Sequence, residues 1–214
     1  MLDYGKKTYI MGILNVTPDS FSDGGDFTNI DIAVNHAKEM IKLGADMIDL
    51  GGESTRPGHK FVSAEEEISR IVPVIKRLKE EINVPISIDT YKSEVAEEAL
   101  KLGVNMVNDV WGLTYDGKMA DVVAKYDGEV CIMHNQEGTD YDKDIMEAIK
   151  EFLQNSIDMA LKAGVKKEKI VLDPGIGFGK TYEQNIEVLD RLGELRDLGY
   201  PVLLGTCLLY TSPS

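Results

Sequence analysis

The sequence predicts one α/β domain: a (β/α)8 TIM barrel, incomplete, with about seven strands and six helices in 214 residues. Three observations lead there. Short apolar runs alternate strictly with helix-period segments, the pattern of parallel strands joined by covering helices. One βα step recurs, since Lys42-Leu-Gly-Ala-Asp-Met-Ile-Asp49 is echoed 59 residues later by Lys101-Leu-Gly-Val-Asn-Met-Val-Asn108. Strand after strand also ends in a polar side chain, at the register where parallel α/β folds build their sites. A doubly wound sheet shares the alternation and reuses units, but it gathers its site at one switch point. Polar ends on six successive strands therefore favour the barrel. A closed barrel takes about 250 residues, so this length is most of one barrel and not two domains.

The elements follow in order. Tyr9–Leu14 is a strand too apolar for one-sided burial. Ile30, Val34, Ala37 and Ile41 then mark one helix face, Gly44 sits where a C-cap belongs, and Met47–Leu50 is the second strand. Ser63 with Glu66 is a capping-box signal for a helix burying Ile68, Ile71, Ile75 and Leu78, in which Pro73 predicts a kink or a late start. Pro85–Asp89 is the third strand and Val95, Ala99 and Leu102 the next helix. Met106–Val110 is the fourth strand, followed by a short helix through Met119, Val122 and Tyr126. Val130–Met133 is the fifth, with a long helix through Ile145, Ile149, Phe152 and Ala160. Ile170–Asp173 is the sixth, with a helix through Ile186, Leu189, Leu192 and Leu195, and Val202–Leu204 is the seventh.

Composition removes several classes. With 23 basic and 37 acidic residues the net charge is −14, which argues against a protein that grips nucleic acid through its phosphates, or a basic membrane-surface module. Hydrophobic residues make up 43 %, spread evenly, so disorder is excluded. No apolar run approaches the ~20 residues of a membrane span, and the start, where a short run meets Asn15 and Pro18, does not read as a signal peptide. Two cysteines, Cys131 and Cys207, make no disulfide scaffold and point to a reducing, cytoplasmic setting.

The candidate site residues are the polar strand ends: Asn15, Asp49, Asp89, Asn108 with Asp109, His134 and Asp173. Any one of these is ordinarily a turn former or helix cap, and Asp109 and Asp49 are open to that reading. Six at one register fit a shared mouth better. His134 divides evenly between ligand and satisfied structural histidine. Cys131, in an apolar strand without a basic neighbour, reads as a buried small hydrophobe, and Trp111 as packing. Three loops add to this. Asn15–Gly25 is polar and glycine-rich; Gly51–Gly58 combines backbone freedom with Arg56, able to grip an oxyanion through two bonds. Asp173-Pro-Gly-Ile-Gly-Phe-Gly-Lys-Thr181 resembles two phosphate motifs and satisfies neither. The P-loop needs glycine at Pro174, and the dinucleotide fingerprint needs glycine at Lys180.

Together these segments resemble the dihydropteroate synthase family of pterin-binding TIM barrels. The resemblance rests on Met11–Gly24, Ile48–Gly58, Ser87-Ile-Asp-Thr90, Asn108-Asp-Val110 and Leu172–Lys180, in the family's order from about Met11 to Thr206. It implies condensation of 6-hydroxymethyl-7,8-dihydropterin diphosphate with p-aminobenzoate, releasing pyrophosphate, with Mg²⁺ assisting. By motif, Asn15 would sit at the metal and diphosphate, and Thr55 and Arg56 at the diphosphate and second-substrate end. Asp89, Asn108 and Asp173 would hold the pterin, Met133 and Phe178 would pack against its ring, and Phe21 and Pro57 would shape the p-aminobenzoate pocket. Asp89, Asp173 and Arg56 would be the catalytic residues. The family implies a cytoplasmic homodimer, a sulfonamide target. The alternatives are a pterin-dependent methyltransferase on a similar barrel, which gives no reason for the two long loops, and a non-catalytic pterin-binding remnant.

The domain so defined is residues 1–206, lacking its last βα units; residues 207–214 do not match. The family's Ser-Arg-Lys after strand seven, whose lysine faces the pterin, and its eighth-strand basic residues have no counterpart. A truncated or chimeric reading of a longer gene is the expectation, giving a chain poorly soluble or inactive as written.

Overall fold

The computed structural model describes residues 2–16, 26–53 and 61–206. Six parallel strands alternate with six helices: β1 Met11–Asn15, α1 Asp26–Lys42, β2 Met47–Gly51, α2 Ala64–Glu81, β3 Ile86–Asp89, α3 Ser93–Lys101, β4 Met106–Asp109, α4 Met119–Lys125, β5 Glu129–Met133, α5 Ile145–Ala163, β6 Ile170–Asp173 and α6 Tyr182–Asp190. The strands pair in chain order, β1-β2-β3-β4-β5-β6, and every pairing is parallel. That order has no switch point, which decides for the barrel and against the doubly wound sheet. The expected seventh strand joins through a single parallel bridge, Val202 to Leu172, with Leu203 N–H donating to the Leu172 carbonyl at 2.8 Å. Among the described residues, no strand pairing joins that segment to β1.

Side chains alternate across each strand and build two different layers. Leu14, Ile48, Leu50, Ile86, Ile88, Val107, Val130, Ile132, Ile170 and Leu172 face outward into one core with the helices, contributed by Ala33, Val34, Ile71, Ile75, Leu78, Val95, Ala99, Val123, Ile149, Leu153 and Ile157. The inward parity holds a smaller apolar floor of Met47, Met106, Cys131 and Val171, with Met11, Leu203, Leu2 and Tyr4 against it. Above that floor the inward positions turn polar.

Local chemistry places the helices. Ser63 Oγ accepts from Glu66 N–H at 3.2 Å, and α2 runs on unbroken through Pro73. The late start is therefore corrected: Pro73 forgoes one backbone bond while Ile71, Val74, Ile75 and Leu78 keep the helix buried on both sides of it. Asp144 caps α5 through the N–H groups of Met146 and Glu147. The helix expected through Leu195 is two pieces. Thr181 and Gln184 form a full capping box that starts α6 early, and beyond Arg191 the chain tightens into a 3-10 helix, Leu192–Leu198, at Gly193. Among the described residues, no helix is long and apolar enough to cross a membrane.

Candidate active site

Strand parity sorts the polar strand ends. Register joins Asn15 to Gly51, Gly51 to Asp89, and Asp89 to Asn108, so these four share one inward row at the mouth. One pleat deeper, Asp49 pairs with Ser87; on the far side, Asp173 pairs with Met133. Asp109 has the opposite parity. It is fully buried toward the helices, where its carboxylate accepts from the N–H groups of Trp111 at 2.9 Å and Leu113 at 2.8 Å. It braces a turn in which Leu113 takes a left-handed φ of 71°, so it leaves the candidate site and fills the turn role. Asp49 does not: it lies within its strand, facing in.

The repeat seen in the sequence closes on itself in space. Asn108 Nδ2 donates to Asp49 Oδ2 at 3.0 Å, so the two equivalent residues are bonded partners. Burial pushes the Asp49 carboxyl above the usual carboxylate range, with Ser87 and Asn108 pulling the other way. Burial likewise raises Asp173 to about 6, against the opposing pull of the Gly175 N–H, which donates to it at 2.7 Å, and of the Lys180 cation. Cys131, below them, is pushed well above its ordinary value by burial and then by Asp173 and Asp49. Its thiol is held neutral and inert, as expected of a buried hydrophobe.

Gly51 has a positional reason. A Cβ there would lie 3.1 Å from Asn15 Oδ1 and 3.7 Å from Asp89 Oδ2, so its absence lets both oxygens reach the same space. Beside this polar row stands an apolar wall. Tyr91, Val110 and Met133 are buried together, with Trp111 and Phe178 packed on them. Trp111 packs as expected, and Met133 and Phe178, the two residues expected beside a ring, stand in the same apolar cluster.

His134 resolves as the structural alternative. It is 2 % exposed, edge-on to Phe152 at 5.0 Å and stacked near Tyr141 at 6.1 Å, with Lys180 Nζ 3.0 Å from its Nδ1. Burial, then the neighbouring cation, lowers it to about 3, so the ring is neutral.

Sequence reasoning missed a buried ion network between the β2 and β3 joints. Lys92 Nζ binds Glu53 Oε2 and, at 2.7 Å, Glu67 Oε2, while Val62 N–H donates to Glu53 Oε1 at 2.9 Å. Burial pushes Glu53 up, but its bonds to Lys92 and Val62 outweigh that and hold it below the usual range. For Glu67 burial wins and the carboxyl is raised. Thr55, Arg56, Pro57 and Phe21 lie outside the described residues. A cavity of about 630 Å³ lies apart from this mouth, lined by Leu2, Tyr4, Lys167, Tyr200 and Pro201, and it gathers none of the polar strand ends.

Residues 11–208 match the family described as "Pterin binding enzyme". A dihydropteroate synthase of Clostridium beijerinckii is 60 % identical over 202 residues, which are 94 % of this chain and 75 % of that protein. A solved dihydropteroate synthase from Clostridium difficile, in the presence of pteroic acid, superposes with a TM-score of 0.94 at 74 % identity, covering 96 % of this chain and 78 % of that one. One from Xanthomonas albilineans with 4-aminobenzoic acid gives 0.88 at 42 % identity, covering 94 % and 73 %.

Proposed function

We infer that this protein, which belongs to the pterin binding enzyme family, is a dihydropteroate synthase, joining 6-hydroxymethyl-7,8-dihydropterin diphosphate to p-aminobenzoate with release of pyrophosphate. The observation that carries the reading is the set of inward-facing acceptors, Asp89 and Asn108 in one row with Asp49 beneath and Asp173 on the far side paired with Met133, together with the wall of Met133, Trp111 and Phe178. An aminopyrimidine edge offers several N–H donors, which carboxylates and an amide oxygen can accept. A flat ring also needs an apolar face to rest on. Asn108 spends its amide N–H on Asp49, leaving its carbonyl oxygen for a donor.

The residue types also suit the chemistry. As the bond to diphosphate breaks, positive charge develops on the exocyclic carbon and the ring. Carboxylates fixed beside the ring in a buried mouth stabilise that charge without reorganising. The attacking amine needs no protein nucleophile, consistent with an inert Cys131. Arg56 and Thr55 are assigned to the diphosphate and second-substrate end, and Phe21 and Pro57 to the p-aminobenzoate pocket.

Mg²⁺ is part of the proposal. It requires oxygen ligands and keeps most of its shell in water and substrate phosphate, taking only one or two protein groups. The Asn15 amide oxygen beside the cradle at Gly51 fits that demand, with Asp89 Oδ2 sharing the same space. Among the described residues no group of three or more His, Cys, Asp and Glu forms a protein cage, which is the alternative such an ion does not need. When bound, Mg²⁺ neutralises charge on the departing diphosphate.

Asp89→Asn and Asp173→Asn test the reading. Both variants are expected to keep the wild-type circular dichroism spectrum while losing at least about 100-fold in condensation rate, the scale of one lost electrostatic contact in a transition state. Near-normal rates in both would sink the assignment of these carboxylates.

A further inference from the structure

Lys180 ends the run that mimics a phosphate loop, yet its ammonium points into the protein and is 8 % exposed overall. Nζ donates to the Gly175 carbonyl at 2.9 Å and the Phe178 carbonyl at 2.9 Å, and lies 3.0 Å from His134 Nδ1. Among the described residues no carboxylate lies within salt-bridge distance of it, and these partners are neutral acceptors. With His134 neutral, Nδ1 accepts and Nε2 carries the ring proton. The loop is therefore wound around a lysine, and its glycines show how tightly: a Cβ on Gly175, at φ 70°, would stand 1.9 Å from the His134 carbonyl oxygen. Tyr141 Oη donates to the Gly179 carbonyl at 2.8 Å, and Gly177 N–H donates to Asn185 Oδ1 at 2.8 Å, closing the loop from two further elements.

We propose that Lys180 is a positioning residue for the pterin site: by gathering Gly175 O, Phe178 O and His134 Nδ1, it fixes the loop after β6 so that the Asp173 carboxylate and Phe178 face the mouth. The inference rests on reading the mouth as a pterin site. Two links tie the lysine to that site. Gly175, whose carbonyl it binds, donates its own N–H to Asp173 at 2.7 Å, and Phe178, whose carbonyl it also binds, belongs to the apolar wall. The titratable groups around the pair are Asp173 on β6, Cys131 on β5, His134 just after β5, and Tyr141 in the following joint. Burial holds Cys131, His134 and Tyr141 neutral at working pH. Among the described residues, Lys180 is the cation whose charge acts on Asp173. Burial lowers Lys180 to about 7 and raises Asp173 to about 6, so the lysine is charged over the range in which the carboxyl ionises.

The test uses the full chain and calorimetric binding of 6-hydroxymethyl-7,8-dihydropterin between pH 5 and 8. Lys180→Met, which keeps the stem and removes charge and donors, is expected to weaken binding at least tenfold at pH 7 and to move the pH midpoint for loss of binding upward by about one unit, a response that loop loosening alone does not give. Lys180→Arg keeps a cation but cannot seat on three acceptors set for an ammonium. It is expected to lose affinity with its midpoint unmoved, and it carries the test if Lys180→Met fails to fold. Wild-type affinity and midpoint in either variant overturn the proposal. A wild-type chain that binds no pterin overturns the reading of the mouth, and the proposal with it.

Discussion

Lys92→Met probes the buried ion network of Lys92, Glu53 and Glu67. Lys92 is 5 % exposed, and its partners Glu53 and Glu67 are 2 % and 1 % exposed. Methionine matches the stem but removes the cation that both buried carboxylates bind. Removing one partner of a buried ion pair costs about 3–5 kcal/mol, a large share of the roughly 5–15 kcal/mol that holds a domain. At about 2–4 °C per kcal/mol for a chain of this size, the midpoint should fall by about 6–20 °C.

The pH dependence separates this from a simple packing loss. In the wild type Glu53 is held low, so its contribution is present above its unfolded pKa and lost as pH falls through the lower folded value. In the variant both carboxyls rise, and lowering the pH relieves them by protonation. The penalty is therefore greatest near pH 7 and shrinks toward pH 5. Urea unfolding followed by circular dichroism at the two pH values measures it, and adding Glu67→Leu should return part of the loss by removing one stranded charge. A variant within about 1 kcal/mol of wild type at pH 7, or one whose deficit is the same at pH 5, would refute the reasoning about a charge-bearing network; the exposed ion pairs of this chain are the ones expected to behave that way.

Two glycines with positive φ should differ sharply. Gly44→Ala meets open space and should cost only the backbone strain, about 1–2 kcal/mol, whereas Gly175→Ala drives a methyl into the His134 carbonyl at 1.9 Å and should cost about 4 kcal/mol or more; equal unfolding midpoints would contradict this. Asp109, raised by burial to about 6, carries a folded-state penalty above that pH which disappears below its unfolded value. Wild type should therefore gain on Asp109→Asn by up to about 3 kcal/mol as pH falls from 7 to 4, with pterin binding intact because the residue faces the helices. A flat difference across that range would argue that the carboxyl is not buried as a charge.

How far the sequence reading reaches depends on what each residue's neighbours are. The strands, the six helices and their order follow from periodicity, because burial on two faces leaves an unmistakable apolar run. The repeat carried more than it showed: identical spacing placed Asp49 and Asn108 at equivalent registers, and their hydrogen bond follows from two like βα steps standing next but one in the barrel. Parity was readable as well. Asn108 and Asp109 are adjacent in the chain and cannot share a face of one strand. Counting from the buried outward positions would have assigned Asp109 to the helix side without a structure.

The two lysines behind the site were not readable, and the reason is physical. Lys92 meets Glu53 39 residues away, and Lys180 meets His134 46 residues away. Nothing local marks either as buried, when lysine is ordinarily the most exposed of residues. Their placement alters how the net charge of −14 bears on function. An excess of acid would oppose a substrate bearing diphosphate if it dominated the mouth, and the inward carboxylates add to that excess. Lys180 stands behind Asp173 and Lys92 ties Glu53, so part of the local charge is balanced from within the scaffold, where solvent and salt screen it least. A cation buried at the joint beneath Asp173 favours the ionised form of that acceptor, and removing either lysine should act through the acid it serves.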